Sequence, residues 1–439
     1  MNNSMGLFKL LMILSIALSG CAAYVLDDAQ GNLRESFASG DFEQTASMMS
    51  NLEAKEIYKG KDQVLLNLEQ GSIQHFAGNY SLSNSYLEDA EFTIEDLYTK
   101  SISRALKSFL VNDNTLAYDG EDYEDIYLNI FKALNYIHMD DLEGALVETR
   151  RVSYKLDQLN TKYNGLIDAL SEADTTSTDP GKWKTGDTNI QNSAMANYLS
   201  TVLYAKTGKR DDARISYNNL VKSYADQASL YGNKMPSPRE LAQLTDPNAY
   251  NVMVTVFSGR SPKKEQNDLR FYFAEIDTYL KFSLPELELY NSQVERVRIS
   301  VDGRPSSEIR LVENMDLVAQ DVYKVKEPII YARTLVRATL KAIASNKTSQ
   351  RIGEENETLG QVFNLLGKVA QETTEKADLR SWQTMPGKVH ATVLNLSPGE
   401  HTIDIQYLSR SGTIIHSNLQ TLQVTAGSNL DLVESIYWN

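Results

Sequence analysis

The sequence contains one cysteine, Cys21, among its 439 residues. A single thiol excludes an intramolecular disulfide, and it excludes the paired-cysteine ligand sets of structural zinc sites. If Cys21 is lipidated, no thiol remains for nucleophilic catalysis. Disulfide, thiol and zinc–cysteine chemistry are therefore excluded from the rest of the chain.

Long apolar runs are also scarce. The run over residues 10–18 is shorter than the roughly 20 residues that a membrane-spanning helix needs. Lys9 precedes this run and small residues follow it, which is the order of a secretory signal. The end of the segment, Leu18-Ser19-Gly20-Cys21, resembles the lipobox of bacterial lipoproteins. This resemblance implies cleavage before Cys21 and acylation of the cysteine; a secretory signal with a chance cysteine is the alternative.

We therefore predict a signal peptide over residues 1–20 and a mature protein that begins at lipidated Cys21. Several acyl chains on one residue give a stable membrane anchor, whereas one chain binds only weakly. Ala22 follows the cysteine, and by resemblance to Gram-negative sorting rules a residue other than Asp there favours the outer membrane. For a Gram-negative source, the expected location is the outer membrane, with the protein facing the periplasm.

Basic residues are outnumbered, with 43 Lys and Arg against 58 Asp and Glu and a formal net charge of −15. Most of the acidic excess falls within residues 21–230. Nucleic-acid binding and electrostatic docking on anionic lipid both need basic surface, so the composition argues against both. The charge is expected to keep an anchored protein soluble; recognition of a basic partner is the less favoured alternative.

Catalytic and metal-binding motifs are missing from the sequence. The histidines show no HExxH spacing, and no GxSxG or glycine-rich phosphate loop is present. Two Lys-Thr-Gly triplets precede the Ser-x-x-Lys segment, which is the reverse of the order in penicillin-binding enzymes. We therefore expect a protein without enzymatic activity, cofactor or metal. His390, His401 and His416 leave one alternative, a zinc site in the C-terminal part.

The sequence does contain a repeated helical pattern. Tetratricopeptide repeats are helix pairs of about 34 residues with small residues where the two helices touch. Residues 126–155 fit this pattern best, residues 197–224 next and residues 65–91 most weakly, while residues 33–53 resemble a degenerate first repeat. We predict a tetratricopeptide-like repeat domain over residues 21–230; a helical bundle with the same periodicity is the alternative.

After residue 231 the pattern changes to short alternating strands. Apolar side chains alternate over residues 252–256, and Asp302-Gly303 predicts a hairpin turn. We predict a mixed α/β region over residues 231–350, with a helix from Pro328, and a β-rich region over residues 351–439. A single mixed domain from residue 252 onward is the alternative. The expected fold class is α+β, with a helical superhelix followed by a β-rich part.

Two segments contain candidate partner-binding residues. Glu148, Arg150 and Arg151 lie on the second helix of the best repeat, and repeat superhelices bind partners on their concave surface. The favoured interpretation of this group is nevertheless a solvated face with local salt bridges. Arg380 and Trp382 have side chains that dominate interface hot spots. For Trp382 the favoured interpretation is burial between the helical and β parts.

Two stretches, ALNYIHMDDLEGALVETRR and ADLRSWQTMPGKVHATVLNLSPGEH, are similar to an uncharacterised family of bacterial tetratricopeptide-repeat lipoproteins. In that family an ALNYL…GD…A.VE.RR helix pair precedes a region with AD.RSW..LP and a PG.H turn. The similarity extends over most of the mature chain and implies an envelope lipoprotein of unassigned activity. Met139, Leu379 and Met385 depart from the family pattern, and no catalytic residues carry over.

Together these patterns predict a non-catalytic scaffold, anchored to the outer membrane through Cys21, that presents helical repeats to protein partners of the cell envelope. The alternative is a cell-wall or glycan-binding protein that uses the β-rich C-terminal region. The expected partners are envelope proteins and, through the anchor, the membrane; nucleic acid is not expected.

Overall fold

A computed structural model describes residues 30–58, 60–103, 113–173, 183–231, 237–273, 278–305, 307–345, 376–427 and 429–439. The signal segment and Cys21 lie outside the described residues. The described chain joins a helical part to a β-rich part, and the expected α+β class is confirmed.

Helices in the first half of the described chain form consecutive pairs joined by short turns. The pairs are residues 30–38 (α1) with Phe42–Ala54 (α2), Gln63–Phe76 (α3) with Tyr80–Ser103 (α4), Asp122–His138 (α5) with Leu142–Ala173 (α6), and Ala194–Lys206 (α7) with Arg210–Asp226 (α8). Neighbouring pairs touch through α4 with α5 and α6 with α7. The three clearest predicted helix pairs are therefore present.

The same turn closes each of these pairs. Gly40, Gly78, Asp140 and Gly208 all stand two residues after the end of the first helix, and all adopt a positive φ of 59° to 81°. A residue in this left-handed conformation commonly ends a helix, and glycine adopts it without steric cost. Aspartate tolerates it better than most side chains, so the four pairs share one turn geometry.

The strands of the second half form one large sheet and one hairpin. The large sheet contains Val252–Arg260 (β1), Arg296–Val301 (β4), Ser307–Asn314 (β5), Pro386–Leu394 (β6), Gly399–Leu408 (β7), Ile414–Val424 (β8) and Asp431–Tyr437 (β9), and the hairpin contains Lys263–Phe273 (β2) and Thr278–Glu288 (β3). The order in the sheet is β8-β7-β4-β5-β6-β1-β9. The predicted hairpin turn at Asp302-Gly303 is confirmed, because β4 and β5 pair on either side of it.

This sheet runs across the predicted boundary at residues 350/351. β6 hydrogen-bonds to both β1 and β5, so strands from residues 231–350 and 351–439 complete one another. The physical reason is that β6 to β9 would otherwise leave a long unpaired edge, which folded proteins avoid. The alternative of a single mixed domain agrees with the sheet.

The two faces of β1 pack into two different hydrophobic cores. Val252, Val254 and Val256 belong to a core made by strands alone, while Met253 and Phe257 belong to the core shared with the helices. This division follows from the alternation of side chains along a strand. The sheet curls until its two edge strands touch, where Gln420 of β8 donates from Nε2 to the Glu434 carbonyl of β9 at 2.6 Å.

Two short helices, Ala228–Tyr231 (α9) and Pro238–Ala242 (α10), lead to β1, and a long helix, Met315–Ser345 (α11), follows β5. The prediction that this last helix begins at Pro328 is wrong. Asn314 accepts the Leu317 N–H at 3.2 Å, which is the bond of a helix N-cap, so the helix begins well before the proline.

Pro328 lacks the N–H that would bond to the Lys324 carbonyl, and Gly186 lies against this part of the helix. The Gly186 N–H donates to the Val325 carbonyl at 3.2 Å. A Cβ on residue 186 would lie 1.9 Å from the Lys324 carbonyl oxygen. Only glycine allows this approach, so the Lys-Thr-Gly triplet that ends at Gly186 has a packing role.

Candidate functional site

The inner surface of the helix pairs is covered by the chain's own C-terminal part. The side chains of α3 and α5 are buried almost throughout. Phe257 of β1 contacts Phe76 and Phe131, with ring centroids 5.8 Å and 5.7 Å apart. Trp382 packs on Phe131 at 5.5 Å. The surface on which a repeat superhelix would hold a partner is therefore occupied by the same chain.

Two buried glutamates hold the segment that enters this surface. Glu69 of α3 accepts the Gln383 N–H at 2.8 Å, and Glu124 of α5 accepts the Trp382 N–H at 2.6 Å. These N–H groups lie in neither a helix nor a strand, so the carboxyls satisfy backbone groups that would otherwise be buried without partners. Burial raises the pKa of each glutamate to about 7.

Arg380 and Trp382 both belong to this buried segment. Arg380 bonds to Asp62 at 2.8 Å, to Asp378 at 2.6 Å, and to carbonyls of the loops at residues 61 and 113–116. Its side chain is 13% exposed. Trp382 is 0% exposed and donates from Nε1 to Ser72 at 3.0 Å. In this conformation Trp382 is fully covered and Arg380 makes its hydrogen bonds within the protein, which argues against the partner-contact prediction for both.

Glu148 lies in a buried ionic network between α4, α5 and α6. Lys132 Nζ is 2.9 Å from Glu91 and 3.2 Å from Glu148, and Asn129 donates to both carboxylates. Burial opposes ionisation of Glu91, but Lys155 and Lys132 outweigh it and lower its pKa to about 2. Because Glu148 is buried, the structure removes it as well from the predicted contact residues.

Arg150 and Arg151 keep exposed side chains on α6. Arg150 donates from Nε to the Tyr204 hydroxyl at 2.9 Å. Arg151 is 47% exposed and reaches Glu91 of α4 at 2.7 Å. This last bond places the exposed face of α6 beside α4.

Large apolar side chains also lie on these two helices and point to solvent. Phe92 of α4 is 72% exposed and Tyr154 of α6 is 65% exposed, and Val147 of α6 is exposed as well. Single exposed apolar residues are common on protein surfaces. Here Phe92 directly follows Glu91, and Val147 and Tyr154 lie about one turn on either side of Arg151. We call the side chains of Phe92, Val147, Arg151 and Tyr154 the outer patch.

His75 of α3 sits in a buried hydrogen-bond chain. Ser83 donates to the Gly71 carbonyl at 2.6 Å, so its oxygen accepts from Asn135 Nδ2 at 2.8 Å. Asn135 therefore turns its Oδ1 to His75 Nδ1, 2.7 Å away, and Nδ1 carries a proton. His75 Nε2 lies 3.2 Å from Glu434 Oε2. This contact joins α3 to β9.

Glu434 of β9 is the centre of this group. His138 Nε2 lies 2.7 Å from the same oxygen, and its ring stacks on Tyr80 at 4.0 Å. Thr255 donates to the other carboxylate oxygen at 3.1 Å. Burial opposes ionisation, but His75 and His138 outweigh it and hold the pKa of Glu434 well below its usual range. The group ties the last strand to α3 and α5.

The three C-terminal histidines have separate environments. His390 is buried in β6, His401 bonds to Asp302 at 2.8 Å, and His416 stacks on Tyr437 at 4.5 Å. Within the part of the chain that the structure describes, no group of three His, Cys, Asp or Glu side chains is arranged to hold a metal ion. The zinc alternative therefore has no site among these residues.

A cavity of about 210 Å³ lies where the helices meet the β2–β3 hairpin. Its walls come from α4, α6, α11, the hairpin and the segments around residues 113–121 and 376–378. The large apolar and tyrosine side chains of the wall are Leu97, Tyr98, Leu116, Tyr118, Tyr163, Leu166, Leu170, Tyr323, Ile329 and Ile330. Tyr118 and Tyr323 turn their hydroxyls into the protein, to Glu124 at 2.7 Å and to the Pro285 carbonyl at 3.2 Å.

Charged side chains complete the cavity wall. Lys264 bonds to Glu121 at 2.7 Å, and both are buried. Lys326 lies 3.5 Å from Glu121 and 3.5 Å from Asp119. Burial opposes its charge, but these carboxylates outweigh it and raise the pKa of Lys326 well above its ordinary value. The cavity therefore offers a charged ammonium beside an apolar space.

Comparison of the chain with protein-family models, with curated proteins and with solved structures finds no match. No helix within the described ranges is both long and apolar enough to cross a membrane.

Proposed function

We propose that the protein is a non-catalytic lipoprotein of the bacterial envelope that binds a protein partner through its outer patch. The observation that carries the proposal is the division of the helical surface. The inner face is filled by the C-terminal part of the chain, whereas α4 and α6 expose the outer patch, which consists of Phe92, Val147 and Tyr154 together with Arg151. Aromatic and arginine side chains supply most of the binding energy at protein interfaces.

We further propose that the helix pairs are tetratricopeptide-like repeats. The shared turn geometry supports this, and so do the small residues at the helix contacts. A Cβ on Gly71 would lie 2.3 Å from Leu87 of the paired helix, and Ala133 and Ala145 are fully buried. In this proposal the repeats use their inner face to hold the sheet and leave the outer face for partners.

The anchor on Cys21 completes the proposal. Cys21 precedes α1 closely in sequence, so lipidation would place the helix pairs near the membrane, on the periplasmic side of the outer membrane in a Gram-negative source. A partner of the outer patch would then be another envelope protein.

Crosslinking in the cell tests this function. A photo-crosslinking amino acid is placed at Tyr154, and at Leu419 of β8 as a control, because that residue is comparably exposed, at 71%. We expect one envelope protein to be trapped from position 154, and not from position 419 or in the Cys21→Ser variant. If no protein is enriched at position 154 over both controls, the proposal is wrong.

Binding to purified peptidoglycan tests the alternative of a glycan-binding protein. The whole mature chain should be used, because Trp382 and Phe257 pack against the helices and a fragment of residues 231–439 would expose this core. Retention of the mature chain on peptidoglycan, without a crosslinked protein, would favour the alternative.

A further inference from the structure

The cavity between the helices and the β2–β3 hairpin has the features of a small-molecule site. We propose that it binds a small organic anion with an apolar body, and that Lys326 contacts the anionic group. This site goes beyond the proposed protein interaction and lies apart from the residues of the outer patch.

The charge of the wall favours an anion. Glu121 forms salt bridges with two cations, Lys264 at 2.7 Å and Lys326 at 3.5 Å. Asp113 likewise serves Arg333 and Arg337, at 3.0 Å and 3.4 Å. The lining holds seven basic side chains against four acidic ones, and Asp96 and Asp122 pair with Lys100 and Lys162 from outside the lining. This excess stands out in a protein whose net charge is −15.

The contacts of Lys326 are long, so its ammonium group can still form a short hydrogen bond to a further acceptor. Its contacts with Gly120, Glu121 and Asp119 are 3.4 Å, 3.5 Å and 3.5 Å. Good N–H···O hydrogen bonds are about 2.7–3.2 Å long, and charge-assisted ones about 2.7–2.9 Å. The carboxylates thus hold the ammonium in its charged form at long range, and a ligand oxygen in the cavity could bond to it at short range.

The apolar side chains of the wall and the cavity volume determine the polarity and size of the rest of the ligand. Leu166, Leu170 and Ile329 present apolar side chains, and Tyr118 and Tyr323 present rings whose hydroxyls are already engaged elsewhere. The volume of about 210 Å³ has room for several water molecules and therefore for a small organic molecule. A ligand of this size carries one anionic group and a short apolar chain.

Calorimetric titration of the mature protein with hexanoate, and with 1-hexanol as the uncharged analogue, tests the proposal. We expect hexanoate to bind more tightly than hexanol. Lys326→Met should weaken hexanoate binding about tenfold or more, since a hydrogen bond to a charged group is worth about that factor. The hexanol affinity should stay within about twofold of the wild-type value.

The matched control is Lys324→Met. Lys324 lies on the same helix, outside the cavity lining, and is half exposed, so its replacement should leave hexanoate binding unchanged. A second variant, Ile330→Trp, fills the cavity without altering Lys326 and should abolish binding of both ligands. Circular dichroism and urea unfolding establish that each variant is folded.

Three results would overturn the proposal: no hexanoate binding by folded wild-type protein, equal affinities for hexanoate and hexanol, or unchanged hexanoate binding by either Lys326→Met or Ile330→Trp. A titration with hexyl phosphate shows whether the site prefers a carboxylate or a phosphate. Failure here leaves the crosslinking result at Tyr154 untouched, so the two proposals fail independently.

Discussion

His390 provides a sharp test of how burial controls stability. This histidine lies in β6 and is almost completely buried, and its Nδ1 has no hydrogen-bond partner among the described residues. Burial, together with the charge of Lys388, lowers its pKa to about 3 even though the Val256 carbonyl favours the charged form. In the unfolded chain a histidine titrates near 6.5.

The direction in which the free energy of unfolding changes with pH follows from proton binding. Between pH 6.5 and pH 3 the unfolded chain binds a proton at His390 that the folded chain does not bind, so the free energy of unfolding falls as the pH falls. From pH 6.5 to pH 5 the effect is about 1.5 pH units times 1.36 kcal/mol, or about 2 kcal/mol. Above pH 6.5 His390 is neutral in both states and contributes no slope.

Urea unfolding of the mature chain at pH 7.5 and pH 5.0, for wild type and His390→Gln, measures this effect. The glutamine is neutral at both pH values and can still donate to the Val256 carbonyl. Between the two pH values we expect wild type to lose about 2 kcal/mol more than the variant. If the glutamine destabilises the packing, it does so equally at both pH values, so this cost cancels when the pH-dependent losses of the two proteins are compared.

His401→Gln is the matched control with the opposite sign. The bond to Asp302 raises the pKa of His401 above its ordinary value, so its contribution is fully present at low pH and is lost as the pH rises through the folded pKa. Wild type should therefore gain stability relative to His401→Gln on acidification. Parallel pH profiles for wild type and His390→Gln would refute the reasoning about burial.

Three further substitutions, one of them with a matched control, test the packing by urea unfolding at pH 7.5. Gly186→Ala should lower the free energy of unfolding by about 1–3 kcal/mol, because the new Cβ would meet the Lys324 carbonyl. The control Gly165→Ala in α6, where a Cβ meets nothing, should raise the free energy of unfolding by about 0.5–1 kcal/mol. Equal effects of the two substitutions would contradict the close approach of Gly186 to α11. Trp382→Ala should cost about 3–5 kcal/mol, and a cost below about 1 kcal/mol would show that the inner surface is not filled as described. Glu91→Ala should cost about 3–5 kcal/mol because it leaves Lys132 and Lys155 with too few carboxylates, and an unchanged midpoint would contradict the network.

The helix pairs and the hairpin could be predicted because their signals are local. The turns at Gly78 and Gly208 follow from the left-handed conformation that glycine favours. The turn at Asp302-Gly303 follows from hairpin geometry, since both residues adopt positive φ. In each of these turns the decisive residues are close in sequence, and the structure has the expected turn.

The inner surface could not be predicted in the same way because its partners are far apart in sequence. Glu69 meets Gln383 and Thr384, and Glu124 meets Trp382, across more than 250 residues. The only local sign of these contacts is a charged residue at an otherwise apolar helix position. Several other residues show the same pattern, so it does not single out Glu69 and Glu124. The start of α11 differs from the prediction for a local reason, because Pro328 favours a helix start whereas the helix is capped by Asn314, well before the proline.

The filled inner surface also changes what a partner of this protein can do. Trp382, Arg380 and the two glutamates bind the C-terminal segment to α3 and α5 through backbone and side-chain bonds. A competing peptide would have to displace a fully buried tryptophan, at a cost of about 3–5 kcal/mol, and would leave Glu69 and Glu124 buried without their donors, which adds about 1–3 kcal/mol for each carboxyl. Ordinary transient binding cannot supply this energy on top of its own entropic cost. Partners are therefore restricted to surfaces that are already exposed, which is why the proposed interaction depends on the outer patch rather than on the groove.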